Sequence, residues 1–192
     1  MTLTVEPLTG AALDAALPDL ARLRITVFRA FPYLYDGGAA YEEGYLRSYR
    51  STPGAVLVAA RDGDQIVGAA TAMPLAQHDD AAQLAPALDP AITFYCAESV
   101  LLPEYRGRGL GHAFFDHREA AGRAQDFTQS AFCAVIRPAD HPARPADYAP
   151  LDPFWRKRGY TPMPGVTAQF SWTDVGEAHQ TPKTLQAWTK LL

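Results

Sequence analysis

The chain is poor in the residues that build cross-links and metal centres: two cysteines, three methionines and five histidines in 192 residues. Cys96 and Cys133 both lie in apolar, strand-like runs, so they read as buried free thiols and not as a disulfide framework. The histidines form no clusters of ligand type, and no metal site is expected. A basic excess is also missing. Lys and Arg number 17 against 21 Asp and Glu, a net charge of -4, which argues against a general nucleic-acid binder. No apolar run approaches the roughly 20 residues that cross a bilayer, so no membrane partner is expected. The N-terminus lacks the basic, apolar and small-residue order of a signal peptide, which makes the cytoplasm the expected location. The length fits a single domain over residues 1–192 with a sizeable core.

Glycine, by contrast, is concentrated where it carries information. The run Arg106-Gly107-Arg108-Gly109-Leu110-Gly111 follows the extended segment Ala97-Glu98-Ser99-Val100-Leu101-Leu102-Pro103 and precedes a long amphipathic stretch. Glycines at a strand-to-helix junction let main-chain N–H groups approach a phosphate, and the helix points its positive end at the same place. That end contributes about 0.3 to 2 kcal/mol to an anion, so the amide hydrogen bonds must supply the rest. Spacing narrows the ligand. A nucleoside-triphosphate loop requires a lysine after its last glycine, and none follows here; a dinucleotide fingerprint requires a third glycine at the position of His112.

What remains is Arg-x-x-Gly-x-Gly at Arg106, Gly109 and Gly111, opened by Pro103-Glu104-Tyr105. This resembles motif A of the GNAT superfamily of acyl-CoA-dependent N-acetyltransferases. Other stretches agree in order. Residues 55–61 and 65–75 are apolar runs around Asp62-Gly63-Asp64, a hairpin with glycine in its turn. A third run covers 92–102, a helical pattern follows from Gly111, and residues 130–136 read as a further strand. The resemblance, over about residues 55–172, implies an α/β (α+β) fold. Its central mixed, largely antiparallel sheet is splayed at the cofactor site and has helices on both faces. It also implies acetyl-CoA as acyl donor, bound by Ser99, Val100, Leu101, Arg106, Gly107, Arg108, Gly109, Leu110, Gly111 and His112.

Asp152-Pro153-Phe154-Trp155-Arg156-Lys157-Arg158-Gly159-Tyr160 resembles motif B, a short helix stopped by Gly159 in the left-handed conformation. In many members a tyrosine four positions before that glycine protonates the departing thiolate. Here Trp155 stands there, and an indole N–H donates hydrogen bonds but is no acid near neutral pH. The general-acid role therefore does not transfer.

The chemistry needs a proton acceptor, because an alkyl amine with a pKa of about 10.4 is almost wholly protonated near pH 7. Glu98 is the expected base, a lone carboxylate in the otherwise apolar run Phe94-Tyr95-Cys96-Ala97-Glu98-Ser99-Val100. A structural role, accepting main-chain hydrogen bonds, is the competing reading. The attack needs no covalent enzyme intermediate, and an amide near Val100 or Leu101 is placed to polarise the thioester oxygen.

The flanks should decide the acceptor. Leu13, Leu17, Leu20, Leu23, Val27 and Phe28 line one helix face, with a break expected near Pro18. An aromatic loop follows, then a helix from about Ala39 to Arg50 bearing Tyr41, Tyr45 and Tyr49, a stripe expected to pack. Tyr33 and Tyr35 are candidate substrate contacts, as are His141 and Tyr148 from the proline-rich loop Arg137 to Pro150, which also offers Asp140 and Arg144. Residues 181–192 read as a C-terminal helix with an N1 proline, able to dock on the domain or on a second subunit of a homodimer. Two functions follow: an N-acetyltransferase acting on a primary amine of a small molecule or protein, or a non-catalytic acyl-CoA sensor of the same fold.

Overall fold

The computed structural model describes residues 3–192. Among these residues seven strands and four α-helices follow one another: β1 (Leu3–Leu8), α1 (Gly10–Phe28), α2 (Ala39–Ser51), β2 (Val56–Asp62), β3 (Gln65–Pro74), β4 (Thr93–Leu101), α3 (Leu110–Arg123), β5 (Gln129–Val135), α4 (Asp152–Lys157), β6 (Thr161–Trp172) and β7 (Thr181–Leu191). They form one open sheet in the order β1-β2-β3-β4-β5-β7-β6, antiparallel throughout except between β4 and β5.

Both faces of the sheet are covered, and the alternation along β2 shows how. Leu57 and Ala59 join the core under α1 and α2, with Leu13, Leu17, Leu20, Leu23, Leu46 and Tyr49. Val56, Val58 and Ala60 face the other way, against Leu110, Phe114 and Phe115 of α3. A strand buried on both faces reads as a continuous apolar run, as Val56–Ala60 does. The β2–β3 hairpin turns at Gly63, whose φ of +60° needs glycine.

Two expectations about elements are corrected. Residues 181–192 are no helix: β7 lies between β5 and β6, so its main-chain groups are taken up on both sides, and its side chains alternate between Leu185 and Ala187 on one face and Trp188 on the other. Its threonines suit a strand, and Pro182 sits near the strand's start, where a missing donor costs little. The helical surface for a second subunit is accordingly absent. Pro18 does not break α1, which runs through it. The leucines on either side hold the helix against the sheet, and that packing outweighs one lost N–H.

Candidate active site

Two distortions of β4 create the site. Opposite β3, Ala70 pairs with Ser99 and Ala72 with Cys96, so Thr71 alone faces both Ala97 and Glu98. This is a β-bulge, which bends the strand and re-aims a side chain. The re-aiming is visible in the packing: Ala97 and Val100, of opposite parity, both face the core under α1 and α2. On the other edge, β4 pairs with β5 only from Thr93 to Tyr95. Beyond Tyr95 the two strands part around a cleft of about 1170 Å³ that opens between the two layers of helices.

Arg118 secures the bulge from beneath. It projects from α3, wholly buried, and donates from Nη1 to the main-chain oxygens of Glu98 at 3.1 Å and Thr71 at 3.3 Å. Its guanidinium lies 4.5 Å from the centre of the Phe115 ring. Nη2 is buried without a hydrogen-bond partner.

One end of the cleft is the glycine loop. Gly107 and Gly109 have φ of +74° and +82°, and a Cβ built on either meets nothing within 4 Å. The loop is therefore an open cradle and not a packed turn. Among the described residues, the N–H groups of 107–111 have no main-chain acceptor; the carbonyl of Gly109 takes up those of His112 and Ala113. Five donors are thus left without a main-chain acceptor at the start of α3, which fits a pyrophosphate. Arg106, Gly107, Gly109, Leu110, Gly111 and His112 line the cleft, as do Ser99 and Leu101 of β4. Val100 instead points into the core, and Arg108 turns away onto Tyr105, its Nη2 bonded to the Glu104 carbonyl.

The other end holds Glu98, and its surroundings differ from the lone carboxylate expected. Arg24 Nη1 donates to Oε2 at 2.7 Å, Tyr45 Oη to the same oxygen at 3.1 Å, and Thr71 Oγ1 to Oε1 at 2.7 Å. A carboxylate has about four acceptor positions. Three are taken, and one on Oε1 remains. Arg24 is shared with Glu42, which also accepts from Tyr35 Oη. Burial works against the Arg24 charge, but Glu98, Tyr45 and Glu42 outweigh it and hold the guanidinium's pKa above its ordinary value. Burial likewise raises the phenol of Tyr45.

Around Glu98, the α1–α2 loop and the loop after β5 enclose the acceptor half. Phe31 meets Tyr148 edge-on at 4.7 Å and His141 at 5.7 Å, while Tyr33 packs on Phe28 at 4.4 Å. Tyr33 and Tyr148 line the cleft; burial pushes both phenols up, so they remain protonated donors. Tyr35 does not reach it, because its buried hydroxyl serves Glu42. His141 stands behind Phe31, its Nδ1 accepting from the Ala143 amide at 3.1 Å. Arg137 fixes the base of this wall, donating to both carboxylate oxygens of Asp174 and to the carbonyls of Pro32 and Tyr33.

The α4 segment behaves as its sequence suggests at the stop. Gly159 has φ of +89°, and the Tyr160 amide reaches back to the Trp155 carbonyl at 3.0 Å. The Trp155 ring lines the cleft, packed edge-on against Trp188 at 5.2 Å.

Arg24 and Arg118 were missed as site residues, although both fall on the apolar periodicity of their helices. Among the described residues, no cluster of metal ligands is present and no helix is long and apolar enough to cross a membrane.

A family model described as the acetyltransferase (GNAT) family matches residues 20–146, more than half of the chain. Among curated proteins none matches in sequence. Solved structures share the fold at low identity. The ribosomal-protein-alanine N-acetyltransferase of Brucella melitensis is 15% identical, with 98% of this chain and 99% of that one covered and a TM-score of 0.62. The yncA protein of Salmonella typhimurium, solved with its cofactor acetyl-CoA, is 12% identical over 100% and 95%, with a TM-score of 0.59. The PaiA N-acetyltransferase of Thermoplasma acidophilum, in complex with coenzyme A, is 12% identical over 100% of both chains, with a TM-score of 0.55.

Proposed function

Because the chain belongs to the acetyltransferase (GNAT) family, we propose that it transfers an acetyl group from acetyl-CoA to a primary amine of a small molecule or protein in the β4–β5 cleft. The observation that carries this reading is the set of unpaired N–H donors from Gly107 to Gly111 at one end of a cleft whose other end presents Glu98.

Bound there, acetyl-CoA supplies an activated thioester; the chain's residues do the rest. The amides of 107–111 and Arg106 hold the pyrophosphate, with the α3 N-terminus behind them. The edge of β4 from Ser99 to Leu101, which β5 leaves unpaired, offers strand hydrogen-bonding positions to the arm that leads to the acyl group. Glu98 takes the amine proton at the acceptor position left on Oε1, while Arg24, Tyr45 and Thr71 fix its orientation. Tyr33 and Tyr148 contact the acceptor.

Attack is direct. Burial pushes the Cys133 thiol up to about 11, which disfavours its thiolate near pH 7. Trp155, standing where a phenol would deliver the leaving-group proton, favours a second reading, that of an acyl-CoA sensor without turnover. A thiol-release assay with acetyl-CoA and a panel of amines decides between them. CoA release that depends on the amine supports transfer, and binding of acetyl-CoA without release across the panel supports the sensor.

A further inference from the structure

The cations around the cleft are not equivalent. Arg24 is paired with two carboxylates, Arg137 spends its nitrogens on Asp174 and two carbonyls, and Arg118 is sealed beneath the bulge. Arg144 differs from all three. Like Arg118 and Arg137 it lines the cleft, but among the described residues its guanidinium has neither a hydrogen bond nor an ion pair. Asp147 and Asp152 stand in the same wall, and neither forms an ion pair with it.

Arg144 is nevertheless held in place. Its guanidinium lies 4.8 Å from the ring centre of Tyr148 and 5.9 Å from that of Phe31, and those two rings pack edge-on on each other. The turn beneath it is fixed too: the Arg144 amide donates to the His141 carbonyl at 2.9 Å. A guanidinium resting on aromatic faces keeps its planar fork of N–H donors free, and that fork matches a carboxylate. Phe28, Phe31, Tyr33 and Tyr148 line the same cleft as Arg144 and Glu98. The acceptor half therefore offers an unpaired guanidinium, a carboxylate and an aromatic wall in one cleft.

Resting on the reading that amines are acetylated here, we propose that the acceptor carries a carboxylate, recognised by Arg144, so that the substrate class is amino acids with apolar side chains. The carboxylate lies on the guanidinium, the side chain against the four rings, and the amine toward Glu98.

The test compares amines that differ only in the carboxylate: L-phenylalanine with phenethylamine, and L-leucine with 3-methylbutylamine. In the wild type, kcat/KM is higher for the acid of each pair by about tenfold or more, about 1.4 kcal/mol in binding terms. In Arg144→Gln that ratio collapses toward one, mainly through KM, and Arg144→Lys recovers part of it. A wild-type preference for the amine without a carboxylate, or a ratio unmoved by Arg144→Gln, overturns the assignment while leaving acetyl transfer intact. If no amine releases CoA, transfer itself is contradicted, and calorimetric titration of the same pairs still decides. Tighter binding of the acids, lost in Arg144→Gln, supports Arg144 as the carboxylate site; equal binding overturns it.

Discussion

Arg24 and Glu98, on α1 and β4, form an ion pair of 2.7 Å in which the side chains are only 10% and 4% exposed. The same guanidinium reaches Glu42, which is wholly buried, at 2.6 Å. One cation thus compensates two carboxylates beneath the acceptor half of the cleft. Removing it leaves two buried charges without a counterion, a change that costs about 3–5 kcal/mol when a buried pair is broken. Arg24→Met is expected to lower unfolding free energy by that amount in a denaturant titration. A loss below about 1 kcal/mol would mean that the carboxylates find other partners.

Glu98→Gln keeps the shape of the side chain and removes the proton acceptor. The expected result is a fall in kcat of about 100- to 10,000-fold with an acetyl-CoA affinity close to that of the wild type. An unchanged rate and pH profile would leave Glu98 with a purely structural role.

Asp174 ties the end of β5 to the α1–α2 loop through Arg137, and Lys183 adds a contact at 3.3 Å. Burial pushes its pKa up, but the hydrogen bonds and charge of Arg137, with Lys183, outweigh that and bring it below the ordinary 3.8. A carboxylate depressed in the folded state contributes stability that is fully present above its unfolded pKa and is lost as pH falls through the folded value. The stability difference between wild type and Asp174→Asn should therefore be level above about pH 5 and shrink progressively below about pH 4. A difference that grows on acidification would reverse the sign of this linkage.

Much of this arrangement was legible in the sequence because local chemistry dictated it. The loop from Arg106 to Gly111, the hairpin at Gly63 and the stop at Gly159 all need glycine conformations, and the apolar runs from 55 to 102 gave the strands between them. The partners of Glu98 were less legible, since Arg24 lies 74 residues away and Tyr45 lies 53 away, on two different helices. A signal did exist. Arg24 falls four residues after Leu20 and seven after Leu17, and Arg118 four after Phe114, so both charges occupy positions on buried helix faces. A charge at such a position needs a buried partner. The C-terminal strand was misread because Pro182 and the residues after it suit a helix start as well as a strand, and only pairing with β5 and β6 decides between them. The place of Tyr35 was illegible for a similar reason: Phe31 to Tyr33 just before it line the cleft, while its own hydroxyl turns inward to Glu42.

The proposed seat of acetyl-CoA is the β4–β5 cleft, with its pyrophosphate on the amides of Gly107 to Gly111. Calorimetric titration of acetyl-CoA into the wild type and Gly109→Ala tests it most directly. At φ of +82° an added methyl strains the loop by about 1–2 kcal/mol and also intrudes on the open cradle. One site per chain is expected in the wild type, with at least about a tenfold loss of affinity in the variant, measured well below its thermal midpoint. Equal affinity in both proteins, or no binding to the wild type, would contradict it.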